Sequence, residues 1–181
     1  MTPAEYIQLK AFCRQDGALL ALLWTASFVC YVVGLTQPSM GVVALLLALA
    51  TPFFVSYRLG KFRDECLDGV LSFKRGWAYV IFTFFYASLL FGIVQLVYFT
   101  YLDHGLFVSQ LTQLFASPEN EQMMKSMGMS DSLNEALRMI AEMRPVDLVL
   151  NIMFSNLFIG VVTGLLIAAI TKREKVERQK G

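Results

Sequence analysis

The sequence predicts an all-α protein with four transmembrane helices, and three observations carry that reading. Four apolar runs, roughly residues 17–35, 40–57, 76–102 and 146–170, approach or exceed the ~18 apolar residues that a bilayer-spanning helix needs. None of the 15 Lys and Arg residues falls inside a run. Hydrophobic residues make up 56% of the 181-residue chain and charged residues only 16%, against roughly 25% charged in a soluble domain. The chain is therefore expected to be a single integral membrane domain, 1–181.

The distribution of positive charge orients the spans. Lys10 and Arg14 precede the first run; Arg58, Lys61, Arg63, Lys74 and Arg75 separate the second from the third; Lys172, Arg173, Lys175, Arg178 and Lys180 follow the fourth. The positive-inside rule places these segments, both termini and the basic tail 171–181 in the cytoplasm. The Thr36 to Ser39 turn and the segment 103–145, which carries Lys125, Arg138 and Arg144, then face outward. The exit of the first run, Gly34-Leu35-Thr36-Gln37-Pro38, lacks a small-x-small cleavage pattern, so that run is expected to remain as a span. Cys13 and Cys66 fall on the reducing side and Cys30 inside a span, which implies no disulfide framework.

Each element has local signals. Thr2-Pro3-Ala4-Glu5 has capping-box order with Pro at the first helical position, and Tyr6, Leu9, Phe12 and Cys13 share a face. Two readings follow: an amphipathic N-terminal helix on the membrane surface, with Lys10 and Arg14 meeting anionic headgroups, or a cytoplasmic extension of the first span. Pro52 removes a backbone donor in the second span and should kink it. The third run, about 40 Å of helix at ~1.5 Å per residue, exceeds the bilayer core and must tilt or emerge.

The segment 103–145 is too long to be structureless, and it reads as an outer helical loop. Phe107, Leu111, Leu114 and Phe115 make one stripe that would extend the third span. Ser117-Pro118 opens a short helix that Gly128 closes. Ser132 to Glu135 forms a second capping box, ahead of an amphipathic helix bearing Leu133, Leu137 and Ile140.

Candidate functional residues are few. No Lys, Arg or His enters a run and no buried carboxylate is expected in a span, which weighs against proton-coupled transport. Polar groups within spans are Gln95, Asn151, Ser155 and Asn156, expected first as bonds between helices and second as contacts to a ligand. Asn156, Gly160, Gly164 and Ala168 form a stripe containing a GxxxG, suited to close helix packing inside the bundle or in a homo-oligomer. Gly41, Ala44 and Ala48 give the second span a similar face, and the two stripes could be partners. In the cytoplasmic loop, Asp64 and Asp68 stand four apart beside Arg63, a spacing that on a helix could hold a divalent cation and a lipid phosphate. Met123, Met124, Met127 and Met129, with His104 upstream, are soft donors that would suit Cu(I), but such methionines more commonly fill an apolar interface. No Ser-His-Asp set, P-loop, HExxH or Rossmann fingerprint occurs, so neither a cofactor nor a metal is expected.

The inner-loop pattern Lys61-Phe62-Arg63-Asp64, then Gly69-Val70-Leu71-Ser72-Phe73, then Gly76, resembles a family of small bacterial four-span membrane proteins known only as a domain of unknown function. The chain is similar to that family also in its helical outer segment and in a Gly-bearing last span that ends in Lys and Arg. The resemblance implies a bacterial inner-membrane location and carries over no catalytic residue. The expected function is a non-catalytic membrane subunit that binds a partner protein or lipid in a cell-envelope pathway. Alternatives are a transporter or channel for a neutral or lipidic solute, and a lipid-phosphate enzyme at the cytoplasmic surface. Expected partners are the bilayer and a membrane protein or second copy; nucleic acid is not among them.

Overall fold

The computed structural model describes residues 2–173; the tail residues Lys175, Arg178 and Lys180 lie outside this range. Helices α1 (Pro3–Gly34), α2 (Pro38–Leu49), α3 (Thr51–Cys66), α4 (Phe73–Tyr101), α5 (Leu106–Phe115), α6 (Pro118–Ser126), α7 (Ser130–Glu142) and α8 (Pro145–Thr171) follow in order. Four segments, Glu5–Gly34, Pro38–Cys66, Phe73–Tyr101 and Pro145–Thr171, are long and apolar enough to cross a membrane. The chain is a multi-pass, all-helical membrane protein.

The N-terminal helix and the first span are one element. The Thr2 N–H donates to Glu5 Oε2 at 2.7 Å and the Glu5 N–H to Thr2 Oγ1 at 3.3 Å, which satisfies two of the orphan donors at the helix start. The helix then runs unbroken through Lys10 and Arg14 into the apolar run. Leu9 and Cys13 are fully buried in the core, so this segment packs on neighbouring helices as an extension of the span, with no break that would lay it separately on the membrane.

The second span is two helices in series. Pro52 cannot donate to the carbonyl of Ala48, and α2 gives way to α3 at Ala50, whose backbone stays in the right-handed helical region. Bonding resumes at once, the Phe54 N–H reaching Ala50 O at 2.9 Å. α3 closes where Asp68 and Gly69 both adopt positive φ, 50° and 78°. The following turn is pinned to the end of α8, Leu71 N–H bonding Arg173 O at 2.8 Å and Arg173 N–H bonding Leu71 O at 3.0 Å.

Contacts divide the chain into two units, residues 1–91 with 153–181, and residues 92–152. The first has a core drawn from α1 (Leu20, Trp24), α3 (Val55, Leu59, Phe62), α4 (Tyr79, Val80, Phe84) and α8 (Ile167). Within it, α1 and α4 cross closely at Gly17: a Cβ there would lie 2.7 Å from Tyr86 Cβ and 3.0 Å from Thr83 O.

In the second unit α5, α6 and α7 pack on one another. α5 is a separate helix, not the expected extension of the third span. His104 (φ 45°) and Gly105 (φ 84°) turn the chain, and the buried Asp103 carboxylate caps the new helix by accepting from Gly105 N–H (3.1 Å) and Phe107 N–H (3.0 Å). Gly128, at φ 66°, likewise starts α7 at Ser130, so Ser132 lies inside the helix and its capping box does not form. Leu133, Leu137 and Ile140 are half-buried on one face of α7, while Met139 is exposed.

Candidate functional site

The first unit contains a cleft of about 520 Å³. Its floor is aromatic: Trp24 meets Phe84 (5.5 Å between ring centroids) and Phe91 (5.8 Å) edge to face, and Phe28 meets Phe91 in the same way at 5.8 Å. One wall is Gly41, Ala44, Leu45 and Ala48 of α2, continued by Thr51 and Pro52. The other is Asn156, Ile159 and Thr163 of α8. The small residues of α2 open the space: a Cβ on Gly41 would meet nothing within 4 Å. A volume within the ~300–1,000 Å³ range, mostly apolar walls and a few convergent polar groups are the usual marks of a ligand site.

The polar groups of the cleft are not equivalent. Trp24 Nε1–H donates to Thr51 Oγ1 at 3.0 Å, Ser27 Oγ–H to Ala44 O at 2.8 Å, and Thr163 Oγ1–H to Ile159 O at 2.7 Å. Those donors are consumed within the protein. The half-buried carboxamide of Asn156, by contrast, makes no hydrogen bond to any described residue. No Asp, Glu, Lys, Arg or His lines the cleft.

The structure separates the other polar candidates from this site. Gln95 is buried in the second unit and Asn151 is exposed there; Ser155 is exposed in the first unit. None of the three lines the cleft. The two small-residue stripes do not meet. A Cβ on Gly160 would fall 2.5 Å from Phe84 Cγ, and one on Gly164 3.1 Å from Trp77 Cδ1 and 3.2 Å from Val80 Cγ1. Ala168 is fully buried beside Gly76. The α8 stripe therefore lies on α4, whereas Gly41 closes on Gly34 of α1, where an added Cβ would reach the Gly41 nitrogen at 2.7 Å.

A second polar cluster lies toward the basic end. Asp16 is 1% exposed, although it stands just outside the first apolar run. Arg58 Nε–H donates to its Oδ1 at 2.6 Å with Nη2 alongside, and the buried Tyr79 hydroxyl donates to Oδ2. The expectation of no buried carboxylate in a span is thus overturned: the helix does not end where the apolar run ends, and α3 and α4 enclose the residue. One ion pair with a hydroxyl satisfies both carboxylate oxygens, and this triad ties α1, α3 and α4 together.

The remaining loop candidates are occupied or dispersed. Both carboxylate oxygens of Asp64 are held by Arg63 (2.7 and 2.8 Å), while Arg63 Nη1–H also caps α8 through Thr171 O at 2.9 Å. Asp68 lies past the end of α3 with positive φ, so the helical pair of carboxylates that a cation would need does not form. Met123 and Met124 sit on α6, Met127 caps it and Met129 precedes α7; Met123, Met127 and Met129 are exposed. No group of three His, Cys, Asp or Glu among the described residues could hold a metal ion.

A family model described as protein of unknown function (DUF4199) matches residues 15–173, and the chain belongs to that family. No curated protein and no solved structure matches it.

Proposed function

We propose that this DUF4199 protein is a non-catalytic membrane protein that binds a lipid-class ligand in the cleft between α1, α2, α4 and α8. The observation that carries the reading is the cleft itself: an apolar cavity of ligand size with one unused carboxamide in its wall. Both of its rims face lipid. Leu45 of α2 is 59% exposed and Ile159 of α8 is 50% exposed, and their neighbours Leu46, Leu49, Phe158 and Val162 are exposed as well. The charge distribution supports an orientation with both termini cytoplasmic, and the family resemblance supports a bacterial inner membrane as the location.

Native mass spectrometry of the protein extracted in mild detergent tests the reading. A stoichiometric adduct of lipid mass is expected, and Ala48→Phe, which fills the cleft from the α2 wall, should remove it. An adduct that survives Ala48→Phe would refute the assignment. So would a stoichiometric protein partner retained with no lipid, which would move the function to partner binding.

A further inference from the structure

We infer that the cleft selects an uncharged amphiphile whose one neutral polar group, a hydroxyl or a carbonyl, hydrogen-bonds Asn156; the inference rests on the cleft being a lipid site. Three features of the cleft support it.

Depth is the first. Asn156 lies eleven residues inside α8 from Pro145 and fifteen from Thr171, roughly 16 Å and 22 Å along the axis. In a hydrocarbon core about 30 Å thick, that is well below the level of phospholipid headgroups. A polar group bonded to Asn156 must therefore tolerate removal from water.

Charge is the second. With no Asp, Glu, Lys, Arg or His in the lining, no side chain of the cleft carries a charge to compensate a buried phosphate, carboxylate or ammonium. The buried charged cluster of Asp16 with Arg58 and Tyr79 is closed on itself and lines no part of the cleft.

Valence is the third. The carboxamide offers two donors and an acceptor, so it can serve a carbonyl or a hydroxyl. Trp24, Ser27 and Thr163 already spend their donors inside the protein, whereas the Asn156 carboxamide makes no hydrogen bond to a described residue and has both its donors and its acceptor to offer the ligand. The rims at Leu45 and Ile159 admit the ligand sideways from lipid, with no polar passage to cross.

The test uses four probes with the same dibrominated octadecyl chain: the alcohol, the alkane, the alkyl sulfate and the alkyltrimethylammonium. Bromine quenches the tryptophan it approaches, and Trp77→Phe leaves Trp24, on the cleft floor, as the only tryptophan. The alcohol should quench saturably and bind about 3- to 10-fold more tightly than the alkane, the worth of one membrane hydrogen bond of roughly 0.6–1.4 kcal/mol. It should bind at least about tenfold more tightly than either permanently charged probe. Asn156→Leu should erase the difference between alcohol and alkane while leaving alkane binding intact.

Because Trp77 Nε1–H bonds Val161 O, its replacement could loosen α4 on α8. The same ranking is therefore measured by native mass spectrometry competition on the unaltered chain. Saturable quenching with alcohol and alkane equal, or with a charged probe preferred, would overturn the inference and leave the lipid cleft standing. Absence of saturable binding by all four probes would overturn both.

Discussion

Gly160→Ala and Gly60→Ala make the same chemical change inside two helices, α8 and α3, and the structure assigns them different outcomes. Each removes the entropic cost of a helical glycine, a gain of about 0.8–1 kcal/mol. At Gly60 a Cβ meets nothing within 4 Å, so only that gain remains. At Gly160 the Cβ would fall 2.5, 2.7 and 2.8 Å from Cγ, Cδ1 and Cβ of Phe84, roughly 1 Å inside ordinary contact. Phe84 is 2% exposed and set edge-on against Trp24, so the ring can yield only toward the cleft and at the expense of that aromatic contact. Overpacking of this kind costs about 1–3 kcal/mol. The helix-propensity gain cancels in the comparison, so Gly160→Ala should be less stable than Gly60→Ala by that amount. For a chain of this size the gap is about 2–12 °C in Tm. The assay is thermal unfolding of both variants at one detergent concentration and one scan rate, with Phe84→Leu added to each. The smaller side chain should relieve Gly160→Ala and leave Gly60→Ala unaffected, a coupling of roughly 0.5–3 kcal/mol. Equal melting of the two variants, or strict additivity with Phe84→Leu, would refute the close packing of α8 on α4.

Other perturbations address the remaining contacts. Asp16→Ala strands the Arg58 guanidinium and should cost about 3 kcal/mol, at the low end of the range for a broken buried pair because Arg58 keeps 17% exposure; adding Arg58→Met should recover most of the lost melting temperature. Thr51→Val removes the acceptor of the Trp24 indole and should cost about 1 kcal/mol, with a shift in Trp24 emission as the independent readout. Asp103→Ala frees the first amides of α5 at a cost of about 0.5–2 kcal/mol, seen as faster amide exchange at Gly105 and Phe107. For topology, an impermeant maleimide should label Ser126→Cys on intact cells; labelling only after permeabilisation would reverse the proposed orientation.

Much of the fold was legible because membrane spans leave a one-dimensional record. Length, apolarity and the exclusion of Lys and Arg are properties of single segments, as is the Thr2 to Glu5 capping box. What the chain did not disclose are relations between segments. The Gly160 stripe has the same composition whether it meets α2, α4 or a second copy; the side chain that decides is Phe84, which carries no periodic signal of its own. Asn156 similarly belongs to a set of four polar candidates until the opposite wall of the cleft is known.

Asp16 is the instructive case, because a signal for it existed. It stands at the edge of one apolar run and Arg58 at the edge of the next, where charges ordinarily mark the interface and are assigned to water. Yet the turn between those runs is short, and its glycines, Gly34 and Gly41, approach closely enough to set the register of an antiparallel pair. Asp16 lies eighteen residues before Gly34 and Arg58 seventeen after Gly41, so helices of equal rise bring an acid and a base to the same level. Opposite charges at matched distances from a tight turn thus predict an ion pair. Its burial required a third helix, and Tyr79 of α4, which donates to the second carboxylate oxygen, is the contact that no two-helix argument supplies. The same logic separates the triad from the cleft: its hydrogen bonds are completed by the protein, whereas the Asn156 carboxamide makes none to a described residue.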